Sequence, residues 1–372
     1  MARRPVTTVA GGVWLHATAP ELAPALRVLA AALADLPQAT TVAITGESSA
    51  TDPGDDLRAI DAMFDRLSPR LLVLAGDSLP VPLIDRARAR GVAMMLIEAA
   101  NPSATGTWRL LPGAPRGLLM RFCQIHARDA AAAGALTRLV REAVPVAATG
   151  RLARHAPAPG CNMNELDAMR QTIGARPVWL AHNLPLSEAD AVLKAHAHAL
   201  RRAHRSLVIL EPRDPAQGAE MMARAAEAGL VRARRAEDDE IVETTQVYVA
   251  DAGDDPGLFL RLSPVAYLGG TLTRGAGNAS PVVAAALGSA LVFGPQASDE
   301  TRPFLDRLRQ VGGGRQIATP AELGPAVSAL LAPEAGAEAA LRAWTLATEG
   351  AEATLAVAGA IGDWLAVNGG IR

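Results

Sequence analysis

The feature that most constrains this chain is an alternation that runs through it twice: a short apolar, β-branched stretch, then a longer one whose apolar residues recur at helical spacing. In the first half, a strand over residues 9–15 precedes a helix over 21–36 that carries Leu22, Leu26, Leu29, Ala30 and Leu33 on one face. A strand at 41–44, a helix at 57–67, a strand at 71–75, a helix at 83–90 and a strand at 92–97 follow. Strands that read as unbroken apolar runs and are joined by helices belong to parallel sheets covered on both faces.

Residues 155–161 interrupt the pattern with Pro157, Pro159 and Gly160 and no periodic apolar face, which marks a linker. The alternation then resumes. Strands are expected at 178–181, 207–210, 246–249, 265–268 and 290–293, with helices at 188–203, 217–228 and 281–287, and a last helical segment at 337–367 is anchored by Leu341, Trp344, Leu355, Ala358 and Trp364. At 372 residues the chain exceeds what one core organises. The expected division is a first Rossmann-like domain at 1–153, a linker leading into the second domain at 154–176, a second Rossmann-like domain at 177–336, and a helical tail at 337–372 that crosses back to the first. No short repeat accompanies the shared architecture.

Composition narrows the function classes. Aromatic residues make up 3% of the chain and the net charge is −2, which gives neither a stacking surface nor a global field for nucleic acid. Cys123 and Cys161 lack CxxC or Cys/His spacing, so they read as reduced thiols of a cytoplasmic protein, and no zinc site is legible. The basic start, Arg3 and Arg4, leads into a short strand instead of a signal peptide or a membrane span. Arg201, Arg202, His204 and Arg205 read as a solvated helix end.

Several segments resemble those of the bacterial Kdo (3-deoxy-D-manno-octulosonic acid) transferases. Trp14, Leu15, His16 and Ala17 followed by Glu21 are similar to the family's Trp-x-His-(Gly/Ala)-x-Ser-x-Gly-Glu, one residue shorter and with Pro20 at the glycine. Arg176 to Ala181 repeats Arg-Pro-Val-Trp-Leu-Ala, and Pro212, Arg213 and Pro215 follow Val-Pro-Arg-His-Pro-Glu with Asp214 at the histidine. Tyr248 to Asp251, then Leu268, Gly269, Gly270, Thr271 and Leu272, and finally Leu291 to Pro295 resemble Tyr-x-Ala-Asp, Gly-Gly-Ser-Leu and Val-Leu-Phe-Gly-Pro. Two departures stand out. The Glu-Thr-Glu-Leu-Trp-Pro loop is replaced by Gly76, Asp77, Ser78, Leu79, Pro80 and Val81, and the glutamate of Asn-Pro-Leu-Glu-Pro falls on Val283.

The resemblance implies an α/β GT-B glycosyltransferase fold, two doubly wound Rossmann-like domains facing a cleft. It implies transfer of Kdo from CMP-Kdo to a lipid A precursor with inversion, in lipopolysaccharide synthesis. Glu21 is then the general base. Arg213, Gly269, Gly270, Thr271, Asn278 and Ser280 are donor-binding, since glycine amides after a strand and an arginine at a strand end suit a phosphate. His16 and Asp77 are acceptor-side. No metal and no cofactor are expected, and the lipid acceptor implies peripheral contact with the inner membrane, although the family's N-terminal hydrophobic anchor is missing from the sequence. Two rivals stay open because Val283 cannot accept ribose hydroxyls: a GT-B transferase with a changed donor or acceptor, and a silent paralogue that binds a nucleotide sugar or a partner.

Other signals are set aside. His182, His196, His198 and His204 read as surface histidines; Asp251, Asp254 and Asp255 lack a full set of metal ligands. Ser48 and Ser49 form no nucleophile elbow, Gly312 to Gly314 no P-loop, and Gly11 and Gly12 no dinucleotide fingerprint.

Overall fold

The computed structural model describes residues 11–36, 41–48, 51–105, 114–253, 255, 257–274 and 279–368. The chain divides into two units, Met1–Ala156 with Glu349–Arg372, and Pro157–Thr348.

In the first unit the strands are β1 (Val13–Ala17), β2 (Val42–Thr45), β3 (Leu71–Ala75), β4 (Ser78–Leu79), β5 (Ala93–Ala99), β6 (Ser103–Ala104), β7 (Gln124–Ala127) and β8 (Val146–Ala148). Six of them form a parallel sheet in the order β2-β1-β3-β5-β7-β8, and β4 pairs with β6 beside it. Side chains alternate across the sheet, so Trp14, Leu72 and Leu74 join one core while Leu15, Leu71 and Val73 join the other. Both faces must then be covered. Helix Leu57–Leu67 packs Ile60, Phe64 and Leu67 on the first face, and helix Ala23–Ala34 packs Ala25, Leu26, Leu29 and Leu33 on the second. The first of these starts where Asp56 accepts the amide of Arg58 at 2.9 Å, a cap worth about 1 kcal/mol.

The second unit contains β9 (Val178–Leu184), β10 (Leu207–Pro212), β11 (Arg232–Arg234), β12 (Val247–Val249), β13 (Val265–Leu268), β14 (Ala290–Phe293) and β15 (Gly314–Gln316). They make a parallel sheet in the order β11-β12-β10-β9-β13-β14-β15. Again two cores sandwich it: Leu180 and Ile209 face one side, Trp179 and Leu210 the other. Two doubly wound Rossmann-like units in one chain are the components of the GT-B fold, and the α/β class agrees with the sequence reading.

The helical tail is two helices, Pro333–Ala347 and Ala351–Asn368, separated at Gly350, whose φ of +84° is left-handed. A Cβ on Gly350 would stand 2.5 Å from the backbone of Leu152 and Ala153, so only glycine lets the chain pass there. Helix Pro333–Ala347 stays in the second unit's core, whereas Ala353, Val357, Ala358, Ile361 and Leu365 pack in the first unit with helix Ala23–Ala34. The amide of Ala153 donates to Thr354 Oγ1 at 2.8 Å, which ties that last helix down. Strands β7, β8, β11 and β15 were not legible in the apolar pattern. Of these, β8, β11 and β15 are three-residue strands at sheet edges, where half-exposed or polar side chains replace the buried run.

Candidate active site

In the first sheet β2 lies on one side of β1 and β3 on the other, so connections leave β1 in opposite directions. Open α/β sheets bind ligands at the carboxyl ends of such a pair. Glu21 is there. It sits exposed in the single turn Pro20–Leu22 between β1 and helix Ala23–Ala34, where the helix's free amides favour a negative charge. Thr18 locks this turn to β3: its amide and its hydroxyl both donate to Ala75 O, at 3.0 and 2.8 Å. Gly76, with φ +111°, lets the two loops touch, because a Cβ would lie 2.5 Å from Thr18 Oγ1 and 2.7 Å from Leu22 Cδ1.

His16 and Asp77, the residues expected on the acceptor side, occupy neighbouring positions, and both are hydrogen-bonded to the scaffold. His16 is 3% exposed, and Thr45 Oγ1 accepts from Trp14 Nε1 at 2.7 Å while lying 2.8 Å from His16 Nδ1. Burial pushes the His16 pKa down, partly opposed by the charge of Asp52, so the ring stays neutral. Asp77 accepts the amides of Ala100 and Asn101 at 2.7 and 2.9 Å through Oδ1, and its Oδ2 meets Arg128 Nη2 at 2.5 Å. Arg128 Nε in turn donates to Glu98 O at 3.2 Å, and Glu98, buried with φ +57°, accepts the amide of Leu152. Asp77 thus braces the ends of β3, β5 and β7.

In the second sheet the corresponding pair is β9 and β13, and there the glycine loop differs from the expected phosphate cradle. Glu188, 2% exposed, fills it: Oε2 accepts Gly270 N and Tyr267 Oη, both at 2.7 Å, and Oε1 accepts Leu272 N at 2.9 Å and Thr273 N at 2.7 Å. Gly269 N donates to His182 O at 2.9 Å, and a Cβ there would meet Asn183 O at 2.4 Å. Thr271 is fully buried, its hydroxyl donating to Leu268 O at 2.6 Å and accepting Gly294 N at 2.7 Å. The amides of Gly269 and Gly270 and the hydroxyl of Thr271, assigned to a donor phosphate, are therefore spent on the sheet, on an internal carboxylate and on the loop itself. Burial, and then the adjacent Glu188, raise the Tyr267 pKa above its ordinary range, which keeps that hydroxyl a donor.

The remaining donor-side residues are distributed around this loop. Arg213 is half-buried just beyond β10, its amide donating to Leu184 O at 2.9 Å. Ser280 is exposed as the N-cap of helix Pro281–Ala286, and Val283 packs against the core from that helix. Asn278 lies outside the described residues. Asp251 is no cation ligand: its Oδ2 pairs with Arg234 Nε at 2.6 Å and its Oδ1 accepts Ala236 N at 3.1 Å.

The histidines correct the surface reading in two places. His196 is fully buried and accepts from Trp179 Nε1 at 3.1 Å, and burial lowers its pKa to about 4. Helical spacing held that signal, since Val192, His196 and Ala199 share the buried face. His182 is half-buried at the end of β9, where its Nδ1 bonds Glu211 Oε2 from the end of β10. Sequence reasoning missed this pair.

Residues 3–153, which take in the first unit's sheet, match the model of the 3-deoxy-D-manno-octulosonic-acid transferase (kdotransferase) family. The chain is 29% identical over 316 residues to the 3-deoxy-D-manno-octulosonic acid transferase of Bordetella pertussis, covering 81% of this chain and 70% of that protein. The chain is therefore similar to the Kdo transferases, most clearly in its first unit. A further relative is the "Probable 3-deoxy-D-manno-octulosonic acid transferase, mitochondrial" of Arabidopsis thaliana, 27% identical over 157 residues, which cover 41% of this chain and 35% of that one. Among solved structures, the C-terminal CMP-Kdo binding domain of WaaA from Acinetobacter baumannii superposes with a TM-score of 0.46 at 22% identity, over 50% of this chain and 98% of that domain.

Several of the resembling segments have a structural reason. Arg176, 8% exposed, donates through Nε to Arg205 O at 2.8 Å, through Nη1 to Val242 O at 3.0 Å and through Nη2 to Thr245 O, pinning the loops that flank β10 and β12. Trp179, two residues into β9, fills the core beneath helix Ala189–Leu200. These are scaffold roles.

Proposed function

We propose that this chain is a glycosyltransferase that moves Kdo from CMP-Kdo to a hydroxyl of a lipid A precursor, inverting the anomeric centre. The observation that carries the reading is Glu21, an exposed carboxylate at the point where the first sheet's connections reverse, in the unit matched by the Kdo transferase family model. In this mechanism Glu21 takes the acceptor proton as the acceptor oxygen bonds to the anomeric carbon. The bond from that carbon to the phosphate oxygen breaks, and CMP leaves with the electron pair. The base makes the nucleophile, and cationic donors stabilise the departing phosphate. Arg213 and Ser280 are assigned to the donor side. A lipid acceptor implies peripheral contact with a membrane surface, and among the described residues no helix is long and apolar enough to cross one.

Val283 and the Glu188-filled loop favour one alternative, the same chemistry with a different nucleotide. Both are tested by incubating the purified protein with CMP-Kdo and lipid IVA, and in parallel with uridine and guanosine sugar nucleotides. The expected outcome is turnover with CMP-Kdo that Glu21→Ala abolishes. Turnover with another nucleotide sugar alone would replace the donor assignment, and full activity of Glu21→Ala would remove the base.

A further inference from the structure

If the second unit holds a nucleotide sugar, as the proposed function requires, the anionic group of that ligand needs a partner other than the glycine loop. The amides of Gly270, Leu272 and Thr273 already face the Glu188 carboxylate, and a second anion brought against the same donors would meet both spent hydrogen bonds and a like charge. The site still lies at the carboxyl ends of β9 and β13, because that is where the sheet's connections diverge. His182 stands at this point, in register with Leu268, the last residue of β13.

Three observations make His182 a built feature of that position. Its Nδ1 is bonded to Glu211 Oε2 on the adjacent strand β10. Its carbonyl accepts Gly269 N at 2.9 Å, and the next residue, Asn183, takes a left-handed φ of +52°, a conformation non-glycine residues adopt only when the surroundings enforce it. Third, the side chains of both partners are neither buried nor free, at 13% and 22% exposure, which leaves the ring reachable from solvent. Strand alternation places both residues on the face of Leu180 and Ile209, beyond the end of that core. Aligned on Pro212 and Arg213, the family segment Val-Pro-Arg-His-Pro-Glu has valine where this chain has Glu211.

A carboxylate on Nδ1 fixes the ring plane and the tautomer, so that Nε2 is presented in a set direction. We propose that His182, oriented by Glu211, is the residue of the second unit that receives the phosphate of the nucleotide donor, in place of the amides occupied by Glu188. His182 touches the ligand; Glu211 is a positioning residue.

The test compares nucleotide with nucleoside. Calorimetry of wild type, His182→Ala, His182→Gln and Glu211→Gln is run against CMP, UMP and GMP and against cytidine, uridine and guanosine. For whichever nucleotide the wild type binds, His182→Ala is expected to weaken binding at least about tenfold, as loss of a charge-assisted hydrogen bond does, and Glu211→Gln less. Binding of the matching nucleoside stays unchanged, which also shows that the variants are folded. Equal loss on nucleotide and nucleoside, or unchanged nucleotide binding in His182→Ala, overturns the role of His182 while leaving the donor reading intact. Binding of UMP or GMP with the same phosphate-selective loss keeps His182 and overturns CMP-Kdo as donor. Wild type that binds none of the six overturns both.

Discussion

The two units begin with nearly the same local structure and use it differently. Val13-Trp14-Leu15 in β1 and Val178-Trp179-Leu180 in β9 are each the strand at the centre of connection reversal, and each is followed by a short turn and a twelve-residue helix, Ala23–Ala34 or Ala189–Leu200. Each tryptophan donates its indole N–H to a buried polar partner, Thr45 in one and His196 in the other. Each turn holds a glutamate. Glu21 is exposed in Pro20–Leu22, whereas Glu188 in Leu186–Glu188 is buried under four donors. One glutamate is available to chemistry and the other is part of the frame, and what separates them is the loop across the sheet. Gly76 keeps the first loop tight against Thr18 and Leu22, while Gly269 and Gly270 turn their neighbours' amides inward onto the second glutamate.

The sharpest break in this comparison is Glu188→Ala. It strands one buried and two part-buried amides together with the buried Tyr267 hydroxyl, and a loss of about 4 kcal/mol is expected from these unsatisfied donors, read as a lower midpoint in urea unfolding. A loss under about 1 kcal/mol would mean that the loop is held by something else. Next in size is acid. His196 in the second unit and His126 in the first both have folded pKa values of about 4 because burial disfavours the charged ring, against 6.5 when unfolded. The unfolded chain therefore binds more protons in between, so stability is full above about pH 6.5 and falls as pH drops toward 4, by up to about 3 kcal/mol for each histidine. Among the described residues neither ring nitrogen of His126 has a partner, so His126→Leu should flatten its share of the slope and raise stability at pH 7. An unchanged slope in melts from pH 7 to 4 would contradict the burial argument.

Thr45→Val leaves the Trp14 indole and His16 without their shared partner, and about 2 kcal/mol is expected in the same unfolding measurement. Smallest is Glu21→Gln. An exposed side chain in a turn should shift stability by less than about 0.5 kcal/mol while turnover with CMP-Kdo is lost. A large stability change at Glu21 would erase the contrast with Glu188.

Legibility followed burial. Central strands such as Leu71–Ala75 and Leu207–Pro212 are covered on both faces and announce themselves as apolar runs, whereas Val146–Ala148 and Gly314–Gln316 at the edges bury too little to leave a pattern. The break between the last two helices hides in an otherwise helical composition, because it depends on the backbone of Leu152 and Ala153 approaching Gly350 from nearly 200 positions away.

The candidate site divides along the same line. The exposed turn that presents Glu21 can be placed from the sequence because Trp14 and His16 are close to it along the chain and the turn is local. Glu188 and Gly270 are 82 positions apart, and His182 and Glu211 are 29 apart on adjacent strands. Residue type and spacing along the chain specify which segments become strands, helices and turns, since those choices are made by local sterics and by the apolar period. Whether a given carboxylate meets solvent, an amide or an imidazole is set by which strands lie side by side, and only the packed sheet brings those partners together.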